Sequence, residues 1–179
     1  MYHAARIPVP GAYNLAGVAD IHQFLQPGQI FVCIKPIDGP MKYLEGPVLV
    51  SRSPTIHPGD IQRAIAIGAP PPGSPFVHEP LPNTVVFSTT GERSLPSCLG
   101  GGDLDGDEYN VIPLNDLPEF LPSKFADPSE YEPAQRKELD HPCQHEDVAS
   151  FVMDYITSDV SAWLSPIVGV TAVIRFWDT

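Results

Sequence analysis

Residues 98–112 read CLGGGDLDGDEYNVI: three consecutive glycines, then three aspartates at alternate positions. Along an extended segment, side chains at i, i+2 and i+4 point the same way, so Asp103, Asp105 and Asp107 are expected to converge on one point. Gly106 allows a tight bend between the last two, while Gly100, Gly101 and Gly102 allow unusual backbone angles on entry. Left unneutralised, such a cluster raises its own pKa values and works against folding. A divalent cation removes that penalty, and carboxylate oxygens suit Mg²⁺ or Mn²⁺ rather than a soft metal. Whatever fold the chain adopts must bring these three carboxylates together and support a glycine-rich approach to them.

Two other readings compete. A calcium loop of the EF-hand kind needs glycine sixth and glutamate twelfth, but counting from Asp103 these places hold Glu108 and Leu114, so that motif fails. A solvated acidic turn is the bland alternative. The three preceding glycines and the β segments on either side count against it.

Those flanking segments belong to a chain punctuated by 22 prolines and 14 glycines, which favours many short β elements over a helix bundle. QIFVCIK (29–35), GPVLVSRSP (46–54), TVVFSTTG (84–91) and EYNVIPL (108–114) read as strands or strands with turns, and an opening strand is expected within 6–35. HPGDIQRAIAIG (57–68) opens with a turn, and periodicity leaves strand and helix open for its continuation. The proline-rich stretch 68–83 is expected to be an exposed, poorly packed loop. The triplet then lies on a connection within a sheet or barrel of about six strands.

Three regions follow from this pass: β-barrel residues 1–114, an acidic, proline-rich linker at 115–143 with a short helix near PAQRKEL, and a helical segment at 144–179. In the last, Val148, Phe151, Val152, Tyr155, Ile156, Val160 and Trp163 recur at helical spacing. Glu146 and Asp147 occupy the first turn, where the helix dipole favours them. This helix is expected to pack its apolar face on the barrel.

The net charge of −12 seems to exclude a polyanion partner. Its distribution weakens that exclusion: residues 1–113 hold 6 Lys/Arg against 10 Asp/Glu, a net of −4, and residues 114–179 hold 4 against 12, a net of −8. Of the −4 in the first part, the triplet itself accounts for −3. Three scattered cysteines (Cys33, Cys98 and Cys143) argue against a disulfide framework and for a reducing, intracellular compartment, cytoplasmic or nuclear. The longest apolar run, residues 166–174, is far short of the about 20 residues a membrane-spanning helix needs, so no membrane partner is expected. His141, Cys143 and His145 alternate without a matching second half, which disfavours zinc. No Ser/His/Asp or Cys/His nucleophile arrangement stands out.

GGDLDGDEYNV resembles the catalytic signature of the eukaryotic cellular RNA-dependent RNA polymerases of RNA silencing. The surroundings agree in order: IPVPGAYNLAGVAD, LQPGQIFVCI, GPVLVSRSPTIHPGDIQ, NTVVFSTTGERSLPSCLGGGDLDGDEYNV and FVMDYITSDVSAWL are similar to successive blocks of that family, over about residues 5–164. The resemblance implies a mainly β fold with α additions, a double-psi β-barrel followed by a C-terminal helix. It implies that Asp103, Asp105 and Asp107 are both catalytic residues and ligands of Mg²⁺ or Mn²⁺, supported by Gly101, Gly102 and Gly106. The implied reaction is attack of an RNA 3′-hydroxyl on the α-phosphate of a nucleoside triphosphate, with a second ion arriving with the triphosphate.

An RNA template, nucleoside triphosphates and other RNA-silencing proteins are the implied partners. Arg52, His57 and Asp60, in SRSPTIHPGD, would support the metal loop, contact RNA or nucleotide, or form a buried hydrogen-bonded turn. Arg93 would approach phosphates or lie at the surface.

Family members are much larger and place the active site between two barrels. This chain is expected to be a fragment carrying the second barrel, with little or no polymerisation alone, and SPIVGVTAVIRFWDT does not continue as the family does. The alternative to a polymerase piece is a non-catalytic remnant that binds a metal or a partner.

Overall fold

Short runs rich in apolar and β-branched residues, together with the dipeptide Lys42–Tyr43, form seven strands among the described residues: β1 (Tyr13–Ala19), β2 (Gln29–Ile34), β3 (Lys42–Tyr43), β4 (Glu45–Arg52), β5 (Ile61–Ile67), β6 (Thr84–Phe87) and β7 (Glu108–Pro113). Among the described residues one α-helix, α1 (His145–Ser158), follows. This computed structural model describes residues 8–130 and 138–158. The short helix expected near PAQRKEL falls largely on residues 131–137, outside the described residues, as do Val160 and Trp163.

Six strands close into a ring in the order β2-β5-β4-β7-β1-β6, with β6 returning to β2, and β3 adds outside the ring on β2. The β1–β6 and β2–β5 pairs are parallel; the others are antiparallel. Closure leaves no open row of backbone donors and acceptors along the ring.

Strand side chains alternate between faces, so every second residue points into the barrel. The interior is filled by Leu15 from β1, Ile30 and Val32 from β2, Val48 and Val50 from β4, Ala64 and Ala66 from β5, Val85 and Phe87 from β6, and Tyr109 and Val111 from β7. Fully burying each larger aliphatic or aromatic side chain contributes about 1.5–3 kcal/mol before conformational entropy is set against it. The ring of Tyr109 lies edge-on to Phe87, with centroids 4.8 Å apart.

The outer face of β2 and β6 is buried as well. Leu25, Phe31, Cys33, Phe76 and Val86 form a second apolar cluster there. Phe76 is inserted from the proline-rich stretch 68–83 and stacks on Phe31 at 4.3 Å with ring planes 5° apart. That stretch is therefore not the poorly packed loop its composition suggests: one aromatic anchors it, and Ser74 beside it is also buried. Burial on both faces accounts for the nearly unbroken apolar run of β2.

The ambiguous stretch 57–68 is a 3₁₀ turn, Pro58–Asp60, leading into β5. Beyond β7, residues 126–129 are tied back to the barrel: Gln62 Nε2 donates to the Ala126 carbonyl at 3.3 Å and Arg93 Nη2 to that of Ser129 at 2.8 Å.

Helix α1 forms where the periodicity placed it, but its apolar face does not pack on the barrel. Val148, Phe151, Val152, Met153 and Ile156 are all exposed. The barrel's interior and its β2–β6 outer face are already filled by its own side chains, and the segment joining β7 to α1 is polar.

Candidate metal centre

The triplet sits on the loop 100–107 that joins the turn Pro96–Cys98 to β7. The backbone there is not extended. Leu104 has φ 68° and Gly106 φ 126°, after Gly100 at 63° and Gly101 at 74°. Gly101 and Gly106 have open space around a would-be Cβ, so their positive φ is what calls for glycine. Gly102 is different: a Cβ there would lie 2.5 Å from the Tyr109 hydroxyl and 3.1 Å from Arg52 Cδ. Leu104 packs partly buried against the barrel core, whereas Asp103 and Asp105 on either side of it are exposed.

The carboxylates do converge, though by a tight loop rather than by the alternation of a strand. One oxygen from each of Asp103, Asp105 and Asp107 lies within 4.8 Å of the others, and no other such acidic, His or Cys group occurs among the described residues. The donor set is three hard oxygens, with no sulfur or imidazole, which fits a hard divalent cation. Cys143 is exposed, and His141 Nδ1 is 3.7 Å from an Asp147 carboxylate oxygen, so residues 141–145 gather no metal set.

Asp107 is the fixed member. Its Oδ1 is 2.6 Å from Arg52 Nη2. Its Oδ2 accepts from the Asp103 backbone N–H at 3.2 Å and lies 3.5 Å from the Tyr109 hydroxyl. The Gly17 N–H donates to its backbone carbonyl at 3.0 Å. Burial alone would push its carboxyl up, but the Arg52 hydrogen bond, the Asp103 N–H and the Arg52 charge outweigh that and hold it below the usual carboxylate range. Asp105 moves the other way, raised first by sharing a hydrogen bond with Asp103 and then by the Asp103 charge. Burial, and then the charge of Asp107, raise the Tyr109 phenol. Without a cation, then, the loop holds one well-paired carboxylate and two that repel each other.

Arg52 closes the loop from the end of β4: besides Asp107 it meets the Gly100 carbonyl, to which Nη1 donates at 3.2 Å. His57 and Asp60 form a capped turn beside it. His57 Nδ1 accepts from the Gly59 N–H at 2.9 Å, and buried Asp60 accepts from the Ile56 and His57 N–H groups at 3.2 and 3.0 Å. That turn abuts the loop, since a Cβ on Gly100 would lie 3.4 Å from the Pro54 carbonyl and 3.9 Å from Asp60 Oδ2.

The family model described as RNA dependent RNA polymerase matches residues 1–166. The chain belongs to that family. A probable RNA-dependent RNA polymerase 1 from Oryza sativa subsp. japonica is 31% identical over 157 residues, covering 87% of this chain and 20% of the relative. RNA-dependent RNA polymerase 1 from Schizosaccharomyces pombe is 44% identical over 71 residues, covering 40% of this chain and 5% of the relative. Among solved structures, RNA dependent RNA polymerase QDE-1 from Thielavia terrestris superposes with a TM-score of 0.52 at 21% identity, covering 95% of this chain and 18% of that one. The fold of this RNA dependent RNA polymerase family member is accordingly the double-psi β-barrel followed by a helix. The chain spans a fifth or less of the length of these relatives. No helix among its described residues is long and apolar enough to cross a membrane.

Two residues that hold the polymerase-family loop in place were not singled out from the sequence. Tyr109 is fully buried, runs from the barrel interior to the underside of Gly102, and reads in the sequence only as an alternating strand aromatic. Gly17 leaves an inward position of β1 empty for that ring. Arg93, expected either to approach phosphates or to lie at the surface, is exposed, and its Nη2 donates to the carbonyls of Ser97 and Ser129, both at 2.8 Å. Arg93→Ala is expected to cost about 1 kcal/mol of stability and to expose residues 126–130 to proteolysis, which thermal melting and limited digestion would register.

Proposed function

We propose that this chain carries the catalytic barrel of an RNA-directed RNA polymerase, extending RNA from nucleoside triphosphates on an RNA template to give double-stranded RNA of the kind used in silencing. The observation that carries this reading is the convergence of three carboxylates on one loop of a barrel that belongs to the polymerase family. On this reading residues 1–114 are the catalytic region. The residues that follow join it to other parts of a longer enzyme.

Asp103, Asp105 and Asp107 would hold the ion, Mg²⁺ or Mn²⁺. Held there, a divalent ion supplies Lewis-acid stabilisation of the charge that develops on oxygen in phosphoryl transfer. The chain's own contribution is to fix where that charge is met. Asp107 is held by Arg52 and the Asp103 N–H, while Asp103 and Asp105 remain exposed to solvent. No protein nucleophile is required, since the attacking and leaving oxygens both belong to substrates.

The test is RNA extension on a single-stranded template with nucleoside triphosphates and Mg²⁺, comparing the wild-type sequence with Asp105→Ala in the complete gene product that contains it. Synthesis is expected to disappear with Asp105. Synthesis that survives the substitution would overturn the assignment.

A further inference from the structure

We propose that Arg52 is a positioning residue that ties the two ends of the metal loop together, setting the spacing of the three carboxylates before any substrate is present. The inference rests on the metal reading above and adds a role to it. The loop starts at Gly100, just after the turn Pro96–Cys98, and reaches β7 at Asp107, and one guanidinium meets both ends: Nη1 donates to the Gly100 carbonyl at 3.2 Å, and Nη2 lies 2.6 Å from Asp107 Oδ1. Between these points the chain has Gly101, Gly102 and Gly106, which contribute no side-chain packing of their own. Leu104 packs against the core from the middle of the loop, and the glycine-rich stretches on either side of it stay loose unless the ends are held. The Arg52 stem passes under it, close enough that a Cβ on Gly102 would fall 3.1 Å from Arg52 Cδ.

A planar fork presents several N–H groups at fixed angles and so reaches a carboxylate and a carbonyl at once, which an ammonium on a flexible stem does poorly. The side chain is three-quarters shielded, and its Nε is buried without an acceptor. The fold leaves that donor unpaired while the other two nitrogens serve the loop. Nη1 and Nη2 each already have a partner on the loop.

The 179-residue chain, free of nucleotide and RNA, is titrated with Mn²⁺ and followed by electron paramagnetic resonance, for the wild type, Arg52→Lys and Asp105→Ala. Lysine keeps the charge and removes the fork, so electrostatic attraction or repulsion of the ion is unchanged. Arg52→Lys is expected to weaken Mn²⁺ binding about tenfold, the lower end of what loss of an outer-shell partner costs. Hydrogen exchange provides a second measurement that needs no variant: the Asp103 and Gly17 amides, both bonded to Asp107, should be protected in the metal-free wild type.

Wild-type Mn²⁺ affinity in a folded Arg52→Lys would overturn the proposal and return Arg52 to substrate contact. If that variant does not fold, rapid exchange of the Asp103 amide in the wild type would overturn it instead, and slow exchange would support it. Equal Mn²⁺ binding by the wild type and Asp105→Ala is a separate result, which defeats the metal reading itself.

Discussion

Gly17→Ala is expected to lower the unfolding free energy by about 3 kcal/mol, the upper end of ordinary overpacking, and to bring the melting temperature down by about 6–12 °C. The added methyl would fall on the ring of Tyr109, within 2.7 Å of Cδ2, and 2.8 Å from Leu104 Cδ2. Tyr109 has little room to retreat. Tyr109 is fully buried with Phe87 edge-on to its ring, and Leu104 reaches the core only because its backbone is turned to φ 68°. The damage therefore reaches the aspartate loop, since both side chains help anchor it to the barrel.

A double-mutant cycle separates this account from a generic glycine effect. Tyr109→Ala alone should cost about 3–5 kcal/mol through the cavity it leaves. With Gly17→Ala added, the new methyl enters that cavity, and the pair should be more stable than the sum of the single losses by about 1–3 kcal/mol. Strict additivity in chemical denaturation would mean that the methyl and the ring never compete for space.

The sequence disclosed the strands wherever large apolar residues face inward. It failed at β5 because there the small residues, Ala64 and Ala66, fill the crowded interior while Ile65 faces out, 41% exposed. That inverts the usual weighting of the alternation, so no periodicity stands out. The stretch 68–83 looked unpacked because a single residue, Phe76, holds it, and loop composition hides one anchor among prolines.

At the proposed centre, residue type pointed to a cation, since three alternating carboxylates repel one another unless something neutralises them. The backbone that delivers them was hidden, because nothing in the identity of Leu104 marks it for a left-handed conformation that leucine disfavours. Arg52 was legible as a residue of interest. Its partners were not: Gly100 and Asp107 lie far along the chain and come to it only through the β4–β7 pairing. Helix α1 is the opposite case, with a periodicity that is plain and an apolar face whose expected contact with the barrel the fold does not make.

Mg²⁺ or Mn²⁺ is expected to raise the melting temperature of the chain, and Asp105→Ala to abolish the rise. An ion at a hundred times its dissociation constant adds about 2.7 kcal/mol to the folded state, or about 5–10 °C for a chain of this size. Part of the gain is relief of the repulsion between Asp103 and Asp105. Asp103 lifts the Asp105 carboxyl above its ordinary value, so between the ordinary and the raised value the folded chain binds more protons than the unfolded one. Its stability accordingly falls as pH rises through that interval.

Asp105→Asn removes this penalty and should raise the melting temperature of the metal-free protein at neutral pH, with the advantage vanishing below the ordinary carboxylate range. Asp107 has the opposite sign: its depressed carboxyl, paired with Arg52, stabilises the fold at neutral pH and loses that contribution as pH falls. The wild type should thus be the less stable protein without metal and the more stable one with it. Scanning calorimetry at pH 7 with and without Mn²⁺, on the wild type, Asp105→Asn and Asp105→Ala, would reveal the crossing. A thermal gain of equal size in all three would place the ion elsewhere, and Asp103, Asp105 and Asp107 would then be a solvated acidic turn on a polymerase-family barrel.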